Sequence, residues 1–326
     1  MVMRLTRESL TGCLIDCHSH LGFSAAGLYS DKYPNCYDAV SLLSNLENNG
    51  FDYAIVHPFP SYYCGDGIVG QEKNNALLKM AYEQIPYALQ NRRIILENHE
   101  IAKGRLLFFP MFSLNYAIDE QIDILKKAYK EGDVYGLKYY SDADANEINQ
   151  MLTKGKRFVD FAIEYNIPIT FHTSEMAMMS GGGLSNAMDV LNLAKEVPTL
   201  RVGAAHMAHF SKRVLSLSKE LRLTNLFFDI SPFLHLCYIR NLNRSNQVVE
   251  LDYSNPKSVI EYVIDEFPTN VLWGSDMPFN FTCNLENRWH NKDYELFSYK
   301  NNVAILSEAE RRRLCSENAI EYLFGR

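Results

Sequence analysis

The sequence lacks the features of a membrane protein and of a nucleic-acid-binding protein. No apolar run approaches the roughly 18–20 residues that a membrane-spanning helix requires. The 39 acidic residues outnumber the 32 basic ones, and the net charge of −7 argues against non-specific contact with nucleic acid or an anionic membrane. The first residues, MVMRLTRESLTG, lack the apolar core of a signal peptide, so we expect a cytoplasmic protein.

Paired cysteines are also missing. The seven cysteines are odd in number, scattered and never spaced as C-x-x-C. In a chain without a secretory signal, this distribution predicts reduced thiols that serve packing or no specific role.

A glycine-rich phosphate loop after an early strand is absent as well. Such a loop is required by a doubly wound open sheet, the main alternative among α/β folds. The glycine-rich run at 181–183 follows the fifth predicted strand and lacks the fingerprint spacing. The sequence therefore favours a different α/β architecture.

Eight strand-like segments follow one another along the chain, and most are near-continuous apolar runs. Such runs are typical of parallel strands whose outer face is covered. The predicted strands are 14–20, 53–59, 105–114, 135–140, 167–173, 200–206, 225–231 and 270–276.

Helical patterns fill the gaps between these segments. Gly50 is a predicted C-cap, Pro256 fits a first helical turn, and Ser307 with Glu310 predicts a capping box. The predicted helices are 38–49, 74–103, 119–130, 146–165, 185–196, 211–222, 256–266 and 307–323. Eight strands that alternate with helices predict an α/β fold, a single (β/α)8 TIM barrel that forms one domain over residues 1–326.

Two histidines end the first strand, two residues apart. Residues i and i+2 of a strand point to the same side, so the imidazoles of His18 and His20 leave the strand in one direction. Two such ligands can converge on one zinc ion. A surface strand can also carry two histidines without a metal, so the motif alone leaves both interpretations open.

Residues of metal-ligating types lie at the ends of four other strands. The active site of such a barrel lies at the carboxyl ends of its strands. Lys138 lies on the fourth strand, His172 ends the fifth, His206 the sixth and Asp276 the eighth. Each alone fits a structural residue, but the coincidence across five strands predicts a metal site.

These motifs resemble the amidohydrolase superfamily, and most closely its branch related to aminocarboxymuconate semialdehyde decarboxylase. The resemblance implies a metal-binding (β/α)8 barrel with His18, His20, His172 and Asp276 as ligands. It implies that His206 is a catalytic acid or base, or that it orients water. The matching segments, in order, are LIDCHSHLG, YGLKYY, ITFHTSE, VGAAHM, LFFDIS, VLWGSDMPF and ENAIEYLF.

The chemistry of these residue types agrees with that implication. Three imidazoles and one carboxylate leave one or two positions on a zinc-like ion open for water, whose pKa falls toward neutrality. Asp276 can bind the metal with one oxygen and accept a proton with the other, so Asp276 and His206 are the predicted catalytic residues. Zinc is the expected ion, and manganese or iron are alternatives.

Lys138 leaves the number of ions open. In binuclear members of the superfamily a carboxylated lysine on this strand bridges two metals, and His172 with His206 would hold the second. In the branch that the chain resembles most, a G-x-K sequence accompanies one metal. We therefore expect one ion and a Lys138 ammonium that pairs with a substrate carboxylate or a strand-end acid.

The remaining strand ends and loops predict a pocket for a small molecule. His57, Tyr140 and Lys138 are expected to line it, and Arg240, on the loop after the seventh strand, suits a substrate carboxylate. Arg244 and Arg288 are weaker candidates of the same kind, and Glu175 could orient a metal ligand or cap the helix that begins nearby. We expect no nucleic-acid or membrane partner, and the sequence leaves a homodimer open.

Three functions agree with this pattern. The first is a metal-dependent hydrolase that uses a metal-activated water on an amide, ester or lactone of a small molecule. The second is a metal-dependent non-oxidative decarboxylase or hydratase of a small carboxylic acid, which would use the same ligands. The third, a barrel that only binds or regulates, is disfavoured by the intact ligand positions. We expect the hydrolase.

Overall fold

A computed structural model describes residues 4–23, 36–59, 85–115, 117–174, 183–279 and 297–325. Eight of the strands in these ranges correspond to the eight predicted segments, with shorter bounds in most cases. A further short strand, β2, was not predicted. The strands are β1 (Ile15–Phe23), β2 (Cys36–Tyr37), β3 (Tyr53–Pro58), β4 (Leu106–Phe108), β5 (Leu137–Tyr139), β6 (Ile169–Phe171), β7 (Val202–Ala204), β8 (Leu226–Asp229) and β9 (Val271–Leu272).

The strands form two sheets, with the orders β2-β1-β3-β4 and β5-β6-β7-β8-β9. All neighbours are parallel except β2, which pairs antiparallel with β1. Hydrogen bonds join the two sheets at both edges, from Lys138 N to Pro110 O over 3.0 Å and from Asp276 N to His18 O over 2.7 Å. The eight parallel strands thus follow the order of a (β/α)8 barrel, and the predicted fold class is confirmed.

Helices lie between most of the strands. None of those in the described ranges is long and apolar enough to cross a membrane. The α-helices are Arg7–Leu10, Ala39–Asn49, Ala88–Glu97, Ile118–Glu131, Ser141–Asp144, Lys156–Glu164, Ala187–Glu196, Lys212–Glu220, Phe233–Leu242, Pro256–Glu266, Tyr299–Ala304, Glu308–Arg312 and Asn318–Phe324.

The predicted capping residues lie at the helix termini as expected. Gly50 terminates Ala39–Asn49 with a left-handed φ of 68°. Pro256 is the first residue of its helix. Ser307 and Glu310 form both hydrogen bonds of a capping box. The two hydrogen bonds of the capping box satisfy backbone groups that the helix terminus leaves unpaired.

Several helical predictions differ from the structure. The predicted helix 146–165 is a 3-10 turn at Ile148–Leu152 and a separate α-helix, because the backbone leaves the helical region at Thr153. The predicted helix 74–103 is described only from residue 85, where it includes the π-helical turn Asn98–Ala102. The predicted helix 307–323 likewise contains a π-helical turn, Arg313–Glu317.

The helix Phe233–Leu242 was not predicted, and its residues were assigned to a loop. Its buried positions are Phe233, Leu236, Cys237 and Arg240, which follow helical spacing. An arginine occupies the fourth of these positions, so the apolar pattern in the sequence is too short to indicate a helix.

The interior of the barrel is filled by one face of the strands. Lys138 pairs in register with Thr170, Thr170 with Gly203, and Gly203 with Phe227, so these side chains form one layer. Tyr322 of the last helix enters this layer, where its hydroxyl lies 2.7 Å from Thr170 Oγ1. The opposite face of the strands packs against the helices in a larger apolar cluster. The buried Tyr322 side chain thus helps to fill the barrel interior.

A close backbone approach at Gly136 supplies a test of this packing. A Cβ at Gly136 would lie 2.3 Å from Cε2 of the fully buried Phe109. We expect Gly136→Ala to lower the free energy of unfolding by about 1–3 kcal/mol, as overpacking of a core does. Chemical denaturation measures this change. Phe109→Leu provides room, so the double variant should lose less than the sum of the two single variants. Additive losses would contradict the packing.

Candidate metal centre

Three of the predicted ligand atoms meet at the carboxyl end of the barrel. His18 Nε2 lies 3.1 Å from His20 Nε2. Asp276 Oδ1 lies 3.4 Å from the former and 3.3 Å from the latter. All three residues are buried, and the most exposed of them, Asp276, is 5% accessible to solvent. In the part of the chain that the structure describes, this is the one group of three His, Cys, Asp or Glu ligand atoms that lie within 4.8 Å of one another.

Hydrogen bonds determine which nitrogen of each imidazole faces the group. His18 Nδ1 contacts Oδ2 of buried Asp229, and His20 Nδ1 donates to Pro58 O over 3.0 Å. Each ring therefore keeps its proton on Nδ1 and presents the Nε2 lone pair to the group. Burial, and then the ammonium of Lys138, holds the pKa of His18 well below its usual range, so this ring stays neutral.

The donor set fits a divalent cation. Two imidazole lone pairs and a carboxylate oxygen face one another, and the buried Asp276 Oδ1 has no hydrogen-bond partner among the described residues. A buried polar atom without a partner costs about 1–3 kcal/mol. A cation between the three atoms would remove this cost, and imidazole nitrogens with a carboxylate oxygen are common ligands of zinc.

Asp16 holds the backbone beneath the group. Its Oδ1 accepts hydrogen bonds from His18 N over 3.1 Å and from Ser275 N over 2.9 Å, which ties β1 to the segment after β9. The two segments approach so closely that a Cβ at Gly274 would lie 2.5 Å from the His18 Cβ. This contact brings Asp276 next to the two histidines of β1.

His172 and His206 form a second pair beside the group. His206 Nδ1 donates to Ser231 O over 2.6 Å, and its Nε2 lies 3.1 Å from His172 Nδ1. The His206 ring is centred 5.5 Å from the His18 ring. The structure thus brings all four predicted ligands and the predicted acid–base residue into one region, but His172 contacts His206 and lies outside the three-atom group.

Both predicted catalytic residues have a left-handed backbone. Asp276 has a φ of 55°, and the five residues from His206 to Phe210 have φ values between 49° and 60°. Such a conformation costs roughly 1–2 kcal/mol for each residue with a Cβ. Strain of this kind concentrates at functional sites, where the surrounding structure holds a side chain in place.

Lys138 lies inside the barrel and reaches the group. Its Nζ is 3.4 Å from His18 Nε2, and only 1% of the residue is exposed. Burial lowers the pKa of Lys138 to about 8, although the carboxylates of Asp229 and Asp276 favour the ammonium form. The side chain can therefore lose its proton more readily than a surface lysine.

His57 and Tyr140 lie against the histidines of the site. The fully buried ring of His57 is centred 4.7 Å from the His18 ring, and neither of its nitrogens has a hydrogen-bond partner of good geometry in the described residues. The Tyr140 ring stacks on His172 with a centroid distance of 4.1 Å. Both predicted pocket residues are thus near the group.

Arg240 was predicted on a loop, and this was wrong. It belongs to the helix Phe233–Leu242 and is 1% exposed, because it occupies the inward face of that helix. It lines a cavity of about 380 Å³ with Lys212 and Arg244, and none of the three grouped ligand residues lines that cavity. Glu175 and Arg288, the other weak candidates, lie outside the described residues.

Asp229 and Asp16 are the functional residues that the sequence analysis missed. Asp229 orients His18, and Asp16 orients the backbone of β1 and of Ser275. Asp229 carries a recognisable signal, because it is a carboxylate at the end of a strand, as Asp276 is. Asp16 precedes the H-x-H motif by two residues, and its contacts with His18 N and Ser275 N are ones that no spacing rule indicates.

Comparison with known proteins identifies the family of the chain. A family model described as amidohydrolase matches residues 15–325. No curated protein matches the chain significantly. One similar solved structure is a probable 2-pyrone-4,6-dicarboxylic acid hydrolase from Acinetobacter baumannii with citric acid bound, at 14% identity and a TM-score of 0.58 over 96% of this chain and 99% of that chain.

Two further solved structures have a similar fold. An amidohydrolase from Burkholderia multivorans with bound zinc has 14% identity and a TM-score of 0.58 over 96% of this chain and 99% of that chain. A 2,6-dihydroxybenzoate decarboxylase in complex with 2,6-dihydroxybenzoate has 12% identity and a TM-score of 0.57 over 96% of this chain and 98% of that chain. Because the family model covers nearly the whole sequence, the chain belongs to the amidohydrolase family and is an enzyme of that metal-dependent superfamily.

Proposed function

We propose that the chain is a metal-dependent hydrolase that cleaves an amide, ester or lactone of a small molecule. The observation that carries the proposal is the convergence of His18 Nε2, His20 Nε2 and Asp276 Oδ1 within hydrogen-bond distance of one another. Three ligands from the protein leave positions open for water and substrate, as in catalytic zinc sites.

The proposed cofactor is a single zinc ion, and manganese is an alternative. His18, His20 and Asp276 would hold it, with His172 as the expected fourth ligand. When bound, such an ion acidifies a water molecule and polarises the carbonyl group of a substrate. The imidazoles stay in the required tautomer because Asp229 and Pro58 O bind their Nδ1 protons.

His206 is the proposed acid–base residue. Its Nδ1 proton is committed to Ser231 O, so its Nε2 is the atom that can accept or deliver a proton. The left-handed segment that carries it holds the ring 5.5 Å from His18 and next to His172. Asp276 is the second proposed proton acceptor, through the carboxylate oxygen that does not face the histidines.

A non-oxidative decarboxylase or hydratase of a small carboxylic acid is the second candidate. Its supporting observation is the buried Lys138, a cation 3.4 Å from His18 Nε2 that could hold a substrate carboxylate beside the ligands. The same lysine, if carboxylated, would support a second ion with His172 and His206. The chemical state of Lys138 therefore distinguishes a substrate-binding ammonium group from a binuclear centre.

The ligand assignment predicts a graded loss of metal. His18→Ala and Asp276→Ala should each lose most of the bound zinc, whereas His172→Ala should retain more, because its Nδ1 faces His206. Wild type should hold about one equivalent even after growth with excess metal and bicarbonate. Elemental analysis of the purified variants measures both. His99→Ala, which alters a partly exposed histidine bonded to Asp133, is the control.

Two outcomes would contradict this assignment. Full metal content in both His18→Ala and Asp276→Ala, with the fold intact, would exclude the proposed site. A reproducible content near two equivalents in wild type, together with a carboxylated Lys138, would replace the single ion with a binuclear centre.

The orientation of His18 predicts an effect of Asp229→Asn on metal affinity. An amide at this position no longer favours the proton on His18 Nδ1, so zinc affinity should fall roughly 10–100-fold, as for other residues that orient a ligand. Competition with a chromophoric chelator measures the affinity. Asp144→Asn, another buried carboxylate, should lower stability without this loss. Equal affinities of Asp229→Asn and wild type would show that Asp229 serves folding alone.

The proposed role of His206 predicts that His206→Ala affects turnover but not metal binding. The variant should keep its zinc but lose roughly 10²–10⁴-fold in kcat, the usual contribution of a positioned acid–base group. His209 lies in the same left-handed segment, and the control variant His209→Ala should change kcat only a few-fold. Loss of zinc from His206→Ala would make His206 a ligand, and an unchanged kcat would leave the acid–base role to Asp276.

The reaction class is tested by a substrate screen of the zinc-loaded protein with lactones, N-acyl compounds, esters and aromatic or enoic acids. We expect hydrolysis of a member of the first three groups, detected as acid release by a pH indicator, and its abolition in Asp276→Ala. Release of carbon dioxide from an acid, or addition of water to its double bond, with no hydrolysis in the screen would favour the second candidate.

A further inference from the structure

The helix Phe233–Leu242 begins beside the metal centre. The chain runs from Asp229, which contacts His18, to Ser231, whose carbonyl oxygen accepts the His206 Nδ1 proton over 2.6 Å. The helix starts two residues after Ser231. These contacts place the first turn of the helix at the carboxyl end of the barrel, close to the proposed acid–base residue.

His235 lies in this first turn, and its imidazole is not one of the predicted metal-centre residues. It lies off the buried face of the helix, and its ring is centred 5.7 Å from the ring of Phe297. The residue is partly buried, yet neither ring nitrogen forms a hydrogen bond with any residue in the described ranges. Polar groups with little access to water are usually paired, so this imidazole is available to a molecule that enters the site.

The charges of the metal centre reach His235. Burial lowers the pKa of His235 to about 4, the Asp276 carboxylate opposes this shift, and His206 adds to it. Electrostatic effects of this kind weaken with distance, so they agree with the position of the helix start beside His206. His235 thus lies on the side of the site that carries the two proposed proton-transfer residues.

A neutral imidazole at this position suits a neutral group of a ligand. With a pKa of about 4, His235 carries no charge at neutral pH, and it offers one N–H donor and one acceptor nitrogen. A carboxylate binds more strongly to a cation, such as the ammonium of Lys138. A hydroxyl or carbonyl group, by contrast, forms an ordinary hydrogen bond with a neutral imidazole. The buried cation and the neutral imidazole therefore suit different groups of a substrate.

We propose that His235 forms a hydrogen bond with a hydroxyl or carbonyl oxygen on the carbon next to the acyl group that the enzyme cleaves. That oxygen is close to the acyl carbon because His235 lies on the side of both proton-transfer residues. This inference rests on the proposed function, since it requires an acyl compound held at the metal centre. It narrows the substrates to amides, esters or lactones that carry such an oxygen. His235 is then a specificity-determining residue, because a site that hydrogen-bonds a substrate hydroxyl disfavours the analogue without it.

The test is calorimetric titration of the zinc-loaded full chain with propanohydroxamic acid and with 2-hydroxypropanohydroxamic acid. Both chelate zinc through the hydroxamate group, and they differ only in the hydroxyl on the carbon next to the acyl group. Wild type should bind the hydroxylated probe roughly five- to tenfold more tightly, the usual contribution of one neutral hydrogen bond. His235→Leu should bind both probes equally, whereas His235→Gln, which keeps a neutral donor and acceptor, should retain part of the preference.

Tyr238→Phe is the control, because Tyr238 lies on the same helix and against the same Phe297 ring. It should show the wild-type preference, and all variants should keep the wild-type zinc content. A wild type without preference, or a preference that persists in His235→Leu, would overturn the role of His235 while the proposed function stands. Loss of zinc from His235→Leu would make the residue a ligand instead. Failure of zinc-loaded wild type to bind either probe would contradict an open metal position, and both the proposed function and this inference would then be wrong.

Discussion

The close approach of three lone pairs in a buried group is the constraint on which the rest of this site depends. His18 and His20 present Nε2 atoms that lie 3.1 Å apart, and Asp276 places a carboxylate oxygen next to both. Asp276 Oδ1 has no hydrogen-bond partner among the described residues, and His18 Nε2 has only the Lys138 ammonium group at 3.4 Å beside it. A divalent cation between the three atoms would turn their mutual repulsion into attraction.

The surrounding structure can be understood as support for that contact. Asp229 and Pro58 O hold the imidazole tautomers. Asp16 joins the backbone of His18 to that of Ser275, and Gly274 permits the close approach of the two segments. Several of these supports cost free energy of folding, since buried carboxylates and crowded backbones are unfavourable by themselves. The chain therefore bears a local cost for a fixed geometry, as functional sites commonly do.

Much of the fold could be predicted from the sequence for a physical reason. The barrel strands are covered on both faces, so each appears as an apolar run, and the site residues lie at their carboxyl ends. Pairings between distant strands could not be predicted in the same way. The contact of His18 with Asp229 depends on the position of each strand around the barrel. The contact of His172 with His206 depends in addition on a left-handed backbone over five residues, which Met, Ala and Phe rarely adopt.

Anomalous X-ray diffraction can show whether His18, His20 and Asp276 surround a metal ion. Crystals of the zinc-loaded protein would be measured on both sides of the zinc absorption edge. We expect an anomalous peak within about 2.0–2.2 Å of His18 Nε2, His20 Nε2 and a carboxylate oxygen of Asp276. A zinc-loaded crystal with no peak between these atoms, or with its zinc held by other residues, would contradict it.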